Sequence, residues 1–185
     1  MSNEEALSRV DIVEYDPRWA GWFEQERDFL ARMLNGPFDA HEHIGSTAVP
    51  GLKAKPIIDM MASLRELPSK DQISDRLHPL GYRLILTGMR ERFLFRKIAC
   101  RGKPMFHLHL VASDTWARRK ERLMRDYLRN HPEAVESYGE LKERLAREHD
   151  EDSIAYTRAK TSFIQTLMDA ACDESGIARF DVWTS

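Results

Sequence analysis

Sulfur chemistry is nearly absent from this chain of 185 residues. Its two cysteines, Cys100 and Cys172, stand far apart and match neither a metal-binding nor a redox spacing. That excludes a disulfide framework and fits a reducing compartment. The first ten residues have neither the basic start nor the apolar core of a secretory signal. No apolar run approaches the roughly 18 residues that would span a bilayer. The expected location is therefore the cytoplasm, with no membrane partner. Charge of one sign is also missing: 28 lysines and arginines against 30 acids give a formal net charge of -2. Nothing draws the chain as a whole toward nucleic acid. It has no internal repeat, low-complexity tract or linker, so 1–185 reads as a single domain long enough to bury a core. A hydrophobic content of 42% with 31% charged residues is that of a globular chain, not a disordered one.

What is present divides into a mixed front and a helical rear. Val10 to Tyr15 reads as a short strand or an extended arm. Asp16 then caps a helix with Pro17 at its first position, and Trp19, Trp22, Phe23, Phe29, Leu30, Met33 and Leu34 recur at helical spacing up to Asn35-Gly36. After a stretch from His41 to Leu64 comes a polar-faced helix from Ser69 to Leu80, closed by Pro79 and Gly81. Strands follow at Tyr82–Thr87, Arg92–Cys100 and Met105–Ala112, the last two flanking a four-residue hairpin loop. From Asp114 onward three helices are expected: one capped by Asp114 and running to His131, one starting at Pro132, and one after Asp152 ending near Gly176. The order is that of an α/β (α+β) fold, a small mixed β-sheet with packed helices and a helical C-terminal part.

The chemistry concentrates in His41–Leu64. Gly45-Ser46-Thr47 is a small-residue turn, and Asp59 follows inside the apolar run Ile57-Ile58-Asp59-Met60-Met61. A lone carboxylate there needs a partner, because burying an unpaired charge is costly. A small turn that admits phosphate, followed by a strand acid that holds Mg²⁺, is the pattern of nucleotidyl transfer. Such strands use two acids at i and i+2, and here the second position is Met61, a thioether that does not hold Mg²⁺. The bland alternative is a tight turn with Asp59 paired to Lys53 or Lys55. His107 and His109 share one strand face and offer two ligands to Zn²⁺, Mn²⁺ or another transition metal, with Asp59 or Glu42 as a third. They serve equally as acid–base groups, or as two half-exposed strand histidines. His41 and His43 alternate in the same way.

Among the cations, Arg90, Arg92 and Arg96 are the best anion candidates, at the edge of the strands lining a cleft. Lys160 lies in the row of Tyr156, Phe163 and Ile164. It either snorkels to the surface or reaches into a pocket toward phosphate or a carboxylate such as Asp59. Arg118, Arg119, Lys120, Arg122, Arg125 and Arg129 crowd one helix without interleaved exposed aromatics. That reads as a solvated face and gives no nucleic-acid partner.

The blocks Glu42–Leu52 (EHIGSTAVPGL), Lys55–Asp59 (KPIID), His107–His109 (HLH), Arg125–Glu133 (RDYLRNHPE), Tyr138 with Leu141-Lys142, and Tyr156–Ile164 resemble the GrpB family. The resemblance runs from about residue 10 to 168, and the eleven-residue block from Glu42 is its most specific part. It implies a nucleotidyltransferase-like fold and, because GrpB-like domains also occur fused to dephospho-CoA kinase, a small phosphorylated ligand of nucleotide or coenzyme A type. On that reading Gly45, Ser46 and Thr47 cradle phosphate, and Lys55, Arg92 and Lys160 neutralise its charge. Asp59, with His107 and His109, carries a divalent metal (Mg, Mn or Zn) or acid–base catalysis. The competing expectation is a member that binds such a ligand, or a partner protein, without turning it over. Met61 is the residue that separates the two.

Overall fold

The computed structural model describes residues 10–36, 38–87, 91–98 and 104–182. Arg90, Cys100 and most of the expected hairpin loop lie outside the described residues. The rest forms a mixed α/β fold with a helical C-terminal part, and the residues group into two compact units. One, the sheet unit, is Asp16–Ala48 with Ile57–Arg119. The other, the helical unit, comprises the described parts of Met1–Tyr15, Val49–Pro56 and Lys120–Ser185.

The sheet unit starts with helix α1, Arg18–Met33. Pro17 rather than Asp16 is its boundary residue, but the Asp16 carboxylate accepts the Arg18 N–H at 2.9 Å and so satisfies a donor that the helix cannot. Strands β1 (Ala40–Ile44), β2 (Ile57–Leu64), β3 (Tyr82–Ile85), β4 (Arg92–Lys97) and β5 (Met105–Ala112) assemble in the order β1-β2-β5-β4-β3. Only the β2–β5 pair is parallel. Helix α2, Lys70–Leu77, crosses between them and opens on a capping box in which Ser69 and Gln72 satisfy each other's backbone N–H groups. A 3₁₀ turn and Gly81, at φ 91°, then feed β3.

Alternation decides what each face of the sheet does. Ile58, Met60 and Ala62 of β2, with Phe106, Leu108 and Leu110 of β5, are buried on one face. Helix α1 lies against β1 and β2, bringing Trp19, Phe23 and Leu30 into the core, and α2 lies against β3 with Ile73 and Leu77. Each such side chain contributes about 1.5–3 kcal/mol when fully removed from water. Glu26 of α1 adds a polar tie, accepting from Tyr82 Oη at 3.0 Å and Lys97 Nζ at 2.7 Å.

His41 and His43 belong to this helix-covered face. His43 stacks on Phe23 with centroids 5.0 Å apart, and its Nε2 lies 3.0 Å from Thr47 Oγ1. His41 meets Phe23 and Phe38 edge-on.

The helical unit contains α3 (Lys120–Asn130), α4 (Pro132–Glu148), α5 (Ser153–Ala159) and α6 (Thr161–Ser175). Two expected helices are each divided. Ser113–Arg118 is a 3₁₀ segment ending in extended backbone at Arg119, and Asp114 makes no cap there. Thr115 Oγ1 instead donates to Ala112 O at 2.6 Å while Arg119, itself buried, donates to Thr115. The last helix breaks at Lys160, which ends α5 and begins α6. Val49, Leu52, Leu128, Ala134, Tyr138 and Leu167 form the main core of this unit. Of the strand or extended arm expected at Val10–Tyr15, the structure shows the arm, with a β-bridge between Val13 and Ala54.

His41 gives the sheet unit a testable acid limb. Burial, with the nearby Arg27 charge, pushes its pKa down to about 4, and its Nε2 has no hydrogen-bond partner among the described residues. An unfolded histidine protonates near 6.5, so folded stability holds above about pH 6.5 and falls as the pH drops toward 4. The slope is at most about 1.4 kcal/mol per pH unit. Urea denaturation at pH 7 and pH 5 should show this loss in the native protein and a smaller one in His41→Leu. Equal pH dependence in the two proteins would exclude His41 as its source.

Candidate functional site

The opposite face of the sheet carries the polar residues. Strand register sets Asp59 of β2 beside His107 of β5 and Ile44 of β1, Met61 beside His109 and Glu42, and His107 beside Arg96 of β4. Asp59, His107, His109, Arg96 and Arg92 therefore project to one side. Asp59 Oδ1 lies 3.2 Å from His107 Nδ1 and 3.9 Å from His109 Nε2. Behind the imidazoles, Arg96 Nε donates to His107 Nε2 at 3.3 Å, and Arg92 Nη1 lies 3.5 Å from His109 Nδ1.

These contacts fix a tautomer. A guanidinium has only donors, so His107 Nε2 accepts and carries no proton. The proton of neutral His107 is then on Nδ1, which donates to Asp59. Burial pushes the Asp59 carboxyl up, but hydrogen bonds and electrostatic attraction from His107 and His109 outweigh it, and the group lies well below the usual carboxylate range. Asp59 is thus an anion held by imidazoles. Lys53, one sequence alternative, is engaged by Glu14 at 2.8 Å and Glu143 at 3.0 Å.

The turn before β2 is shaped by the same carboxylate. Gly45 sits at φ 71°, where a side chain is strained, and a Cβ there would come within 2.5 Å of Asp59 Oδ2. The 3₁₀ turn Ser46–Ala48 follows. Thr47 is buried, and its hydroxyl donates to Ile57 O at 2.9 Å. That hydroxyl locks the turn to β2.

The sheet unit thus brings together Gly45, Asp59, Arg92, His107 and His109; Ser46 and Thr47 follow in the turn, but the Thr47 hydroxyl meets His43 and Ile57 O rather than the Asp59 cluster. Lys55 and Lys160 belong to the helical unit. Among the described residues no group of three or more His, Cys, Asp or Glu is spaced to hold a metal ion. Met61 is wholly buried with Ile44 and Val111, and Trp116 packs on them, so the position of a second acid is apolar. Arg96, weighed from the sequence only as an anion contact, proves to orient His107. Lys142, four residues after Tyr138 on the same helix face, is buried although its sequence context does not single it out.

Taken together, fold and site define a mixed α/β protein with a carboxylate–imidazole cluster beside a glycine turn. A family model described as GrpB protein matches residues 9–170, and the chain belongs to the GrpB family. It is 32% identical to the UPF0157 protein YqkA of Bacillus subtilis, over 88% of this chain and 47% of that protein, so it spans about half of that relative's length. A UPF0157 protein of Pseudomonas aeruginosa is 34% identical over 88% of this chain and 68% of its own. The crystal structure of GrpB from Enterococcus faecalis superposes with a TM-score of 0.79 at 32% identity, covering 90% of this chain and 99% of that one. The structure of a GLD-2/RNP-8 complex matches with a TM-score of 0.57 at 16% identity, over 84% of this chain and 61% of that one, which is a likeness of fold alone. No described helix is long and apolar enough to cross a membrane.

The close approach of Gly45 and Asp59 predicts unequal costs for two glycine substitutions. Gly51, at φ 79°, has nothing within 4 Å of an added Cβ, so Gly51→Ala should cost only the left-handed backbone penalty of about 1–2 kcal/mol. Gly45→Ala adds the displacement of a carboxylate and should cost clearly more in chemical denaturation. Equal losses would mean that Asp59 yields freely.

Proposed function

We propose that this protein binds a small phosphorylated ligand of nucleotide or coenzyme A type on the Asp59 face of its sheet unit, together with a divalent cation. The observation that carries the reading is the contact of Gly45 with Asp59. It sets a turn with backbone N–H groups, suited to phosphate, directly beside an ionised carboxylate suited to a cation. Ser46 and the turn backbone meet phosphate, and Arg92 adds positive charge.

One carboxylate and two imidazoles do not make a complete site for a hard cation. Mg²⁺, however, is ordinarily held by one or two carboxylates together with substrate phosphates. The cation therefore enters with the ligand: Asp59 would hold it, with His107 and His109 beside it, and it would neutralise phosphate charge. A softer ion such as Zn²⁺ would draw more on the imidazoles. Nucleotidyl transfer is the reaction such a site serves in the nucleotidyltransferase-like fold that the family resemblance implies.

A second reading, ligand or partner binding without transfer, is favoured by Met61. Its place in the cluster with Ile44 and Val111 removes the second acid of two-metal chemistry.

Equilibrium dialysis tests the binding reading. With Mg²⁺ or Mn²⁺ present, the protein should retain ATP or dephospho-coenzyme A, and Asp59→Asn should weaken retention by about tenfold or more. Metal without ligand should not be retained. Equal affinity in Asp59→Asn, or no retention of either ligand class, would refute the reading. Pyrophosphate release from nucleoside triphosphates separates the two forms of the proposal: release supports transfer, and binding without release supports the Met61 reading.

A further inference from the structure

The helical unit buries an amine that its own fold does not satisfy. Lys142 on α4 is 2% exposed, and its Nζ has no hydrogen-bond partner among the described residues. Its nearest compensation is the face of Tyr138, 4.6 Å away. A buried cation with only a ring face is poorly stabilised, since such a contact contributes about 0.5–2 kcal/mol against a desolvation cost of several.

Two further lysines converge on the neighbouring ring. Lys160 Nζ, from the break between α5 and α6, lies 4.1 Å over Tyr156, and Lys55 Nζ lies 5.0 Å over the same ring. The two phenols are near enough to influence each other: burial and then Tyr138 raise the Tyr156 pKa, so its hydroxyl remains a donor. Burial and then the charge of Lys160 push the Lys142 amine well below the ordinary lysine range. Burial does the same to Lys55 more mildly.

The carboxylate next in sequence is committed elsewhere. Glu143, adjacent to Lys142, and Glu14 both bind Lys53. No described carboxylate pairs with Lys142. A protein that only needed to fill this volume would use leucine or methionine, which cost nothing to desolvate. Three amines and two phenols gathered around a buried Lys142 that no described carboxylate meets are, instead, the complement of a compact multivalent oxyanion.

We infer that the helical unit carries an oxyanion site for a phosphate or polyphosphate group, formed by Lys55, Lys142 and Lys160 over the rings of Tyr138 and Tyr156. The site needs neither Asp59 nor a divalent metal, so it stands or falls separately from the reading of the sheet face. Free phosphates and the phosphate tail of a nucleotide present the same chemistry to it.

The test uses the full chain, metal-free, with inorganic phosphate and pyrophosphate as probes and chloride at matched ionic strength as control. Thermal denaturation should show a rise in Tm with pyrophosphate beyond that with chloride, and calorimetry should give a saturable binding isotherm. Lys142→Met should raise the Tm of the probe-free protein, by removing an unsatisfied buried amine, and weaken pyrophosphate binding by about tenfold or more. Lys160→Gln, a milder change at a partly exposed position, should also weaken it, so the result does not depend on one variant folding. Arg144→Gln, at an exposed cation on the same helix, should bind pyrophosphate as the native protein does. No stabilisation beyond chloride, unchanged binding in both lysine variants, or an equal loss of binding in Arg144→Gln would each overturn the inference. Comparing pyrophosphate with ATP then separates the sources: similar affinities mean a free phosphate site, and markedly tighter ATP binding means a nucleotide tail.

Discussion

An ionised carboxylate on an interior strand constrains everything around Asp59. β2 lies between β1 and β5, so its side chains have neighbours on both flanks. An acid there is tolerable only where the flanking strand supplies donors. His107 and His109 meet that need, and Arg96 in turn fixes which nitrogen of His107 carries the proton. On the other flank, the chain leaving β1 must pass so close that no side chain fits, which is why position 45 is glycine. Thr47 then anchors the turn back onto the start of β2. Strand register, turn shape and imidazole tautomer all follow from accommodating one charge.

The sheet separates two histidine pairs that look alike in sequence. His41 and His43 alternate along β1 as His107 and His109 alternate along β5, yet the register places them on opposite faces. One pair packs under α1 among phenylalanines, where burial keeps His41 uncharged near neutrality. The other pair meets a carboxylate and two guanidinium groups. Residue type and spacing are equal in the two cases, and only pairing with neighbouring strands makes them different.

That distinction marks how far the sequence could be read. α1, its Asp16-Pro17 start, β5 and the helix starts at Pro132 and Asp152 were legible because periodicity and capping are local signals. The breaks at Arg119 and Lys160 were not, because both segments have good helical composition; at Arg119 the guanidinium also reaches Glu91 O, a tertiary contact 28 residues away that no local pattern announces. The helical unit takes Val49–Pro56 from the middle of the chain, a discontinuity that leaves no linker to detect. Asp59, Gly45 and the His107/His109 pair stood out as unusual residues in their contexts. Lys142 did not, because an i,i+4 Tyr–Lys pair on a helix reads as an ordinary surface contact until burial is known.

The account's central claim is that the Asp59 face, and not the histidine-bearing face under α1, receives the ligand. Long-range proton–nitrogen NMR of the imidazoles tests it in one experiment, since His41 and His43 serve as internal controls. In the ligand-free protein His107 should be the Nδ1–H tautomer; on adding ATP with Mg²⁺, the His107 and His109 nitrogens should shift while those of His41 and His43 stay in place. An Nε2–H tautomer for His107, or a titration in which His107 and His109 stay unmoved, would contradict the account.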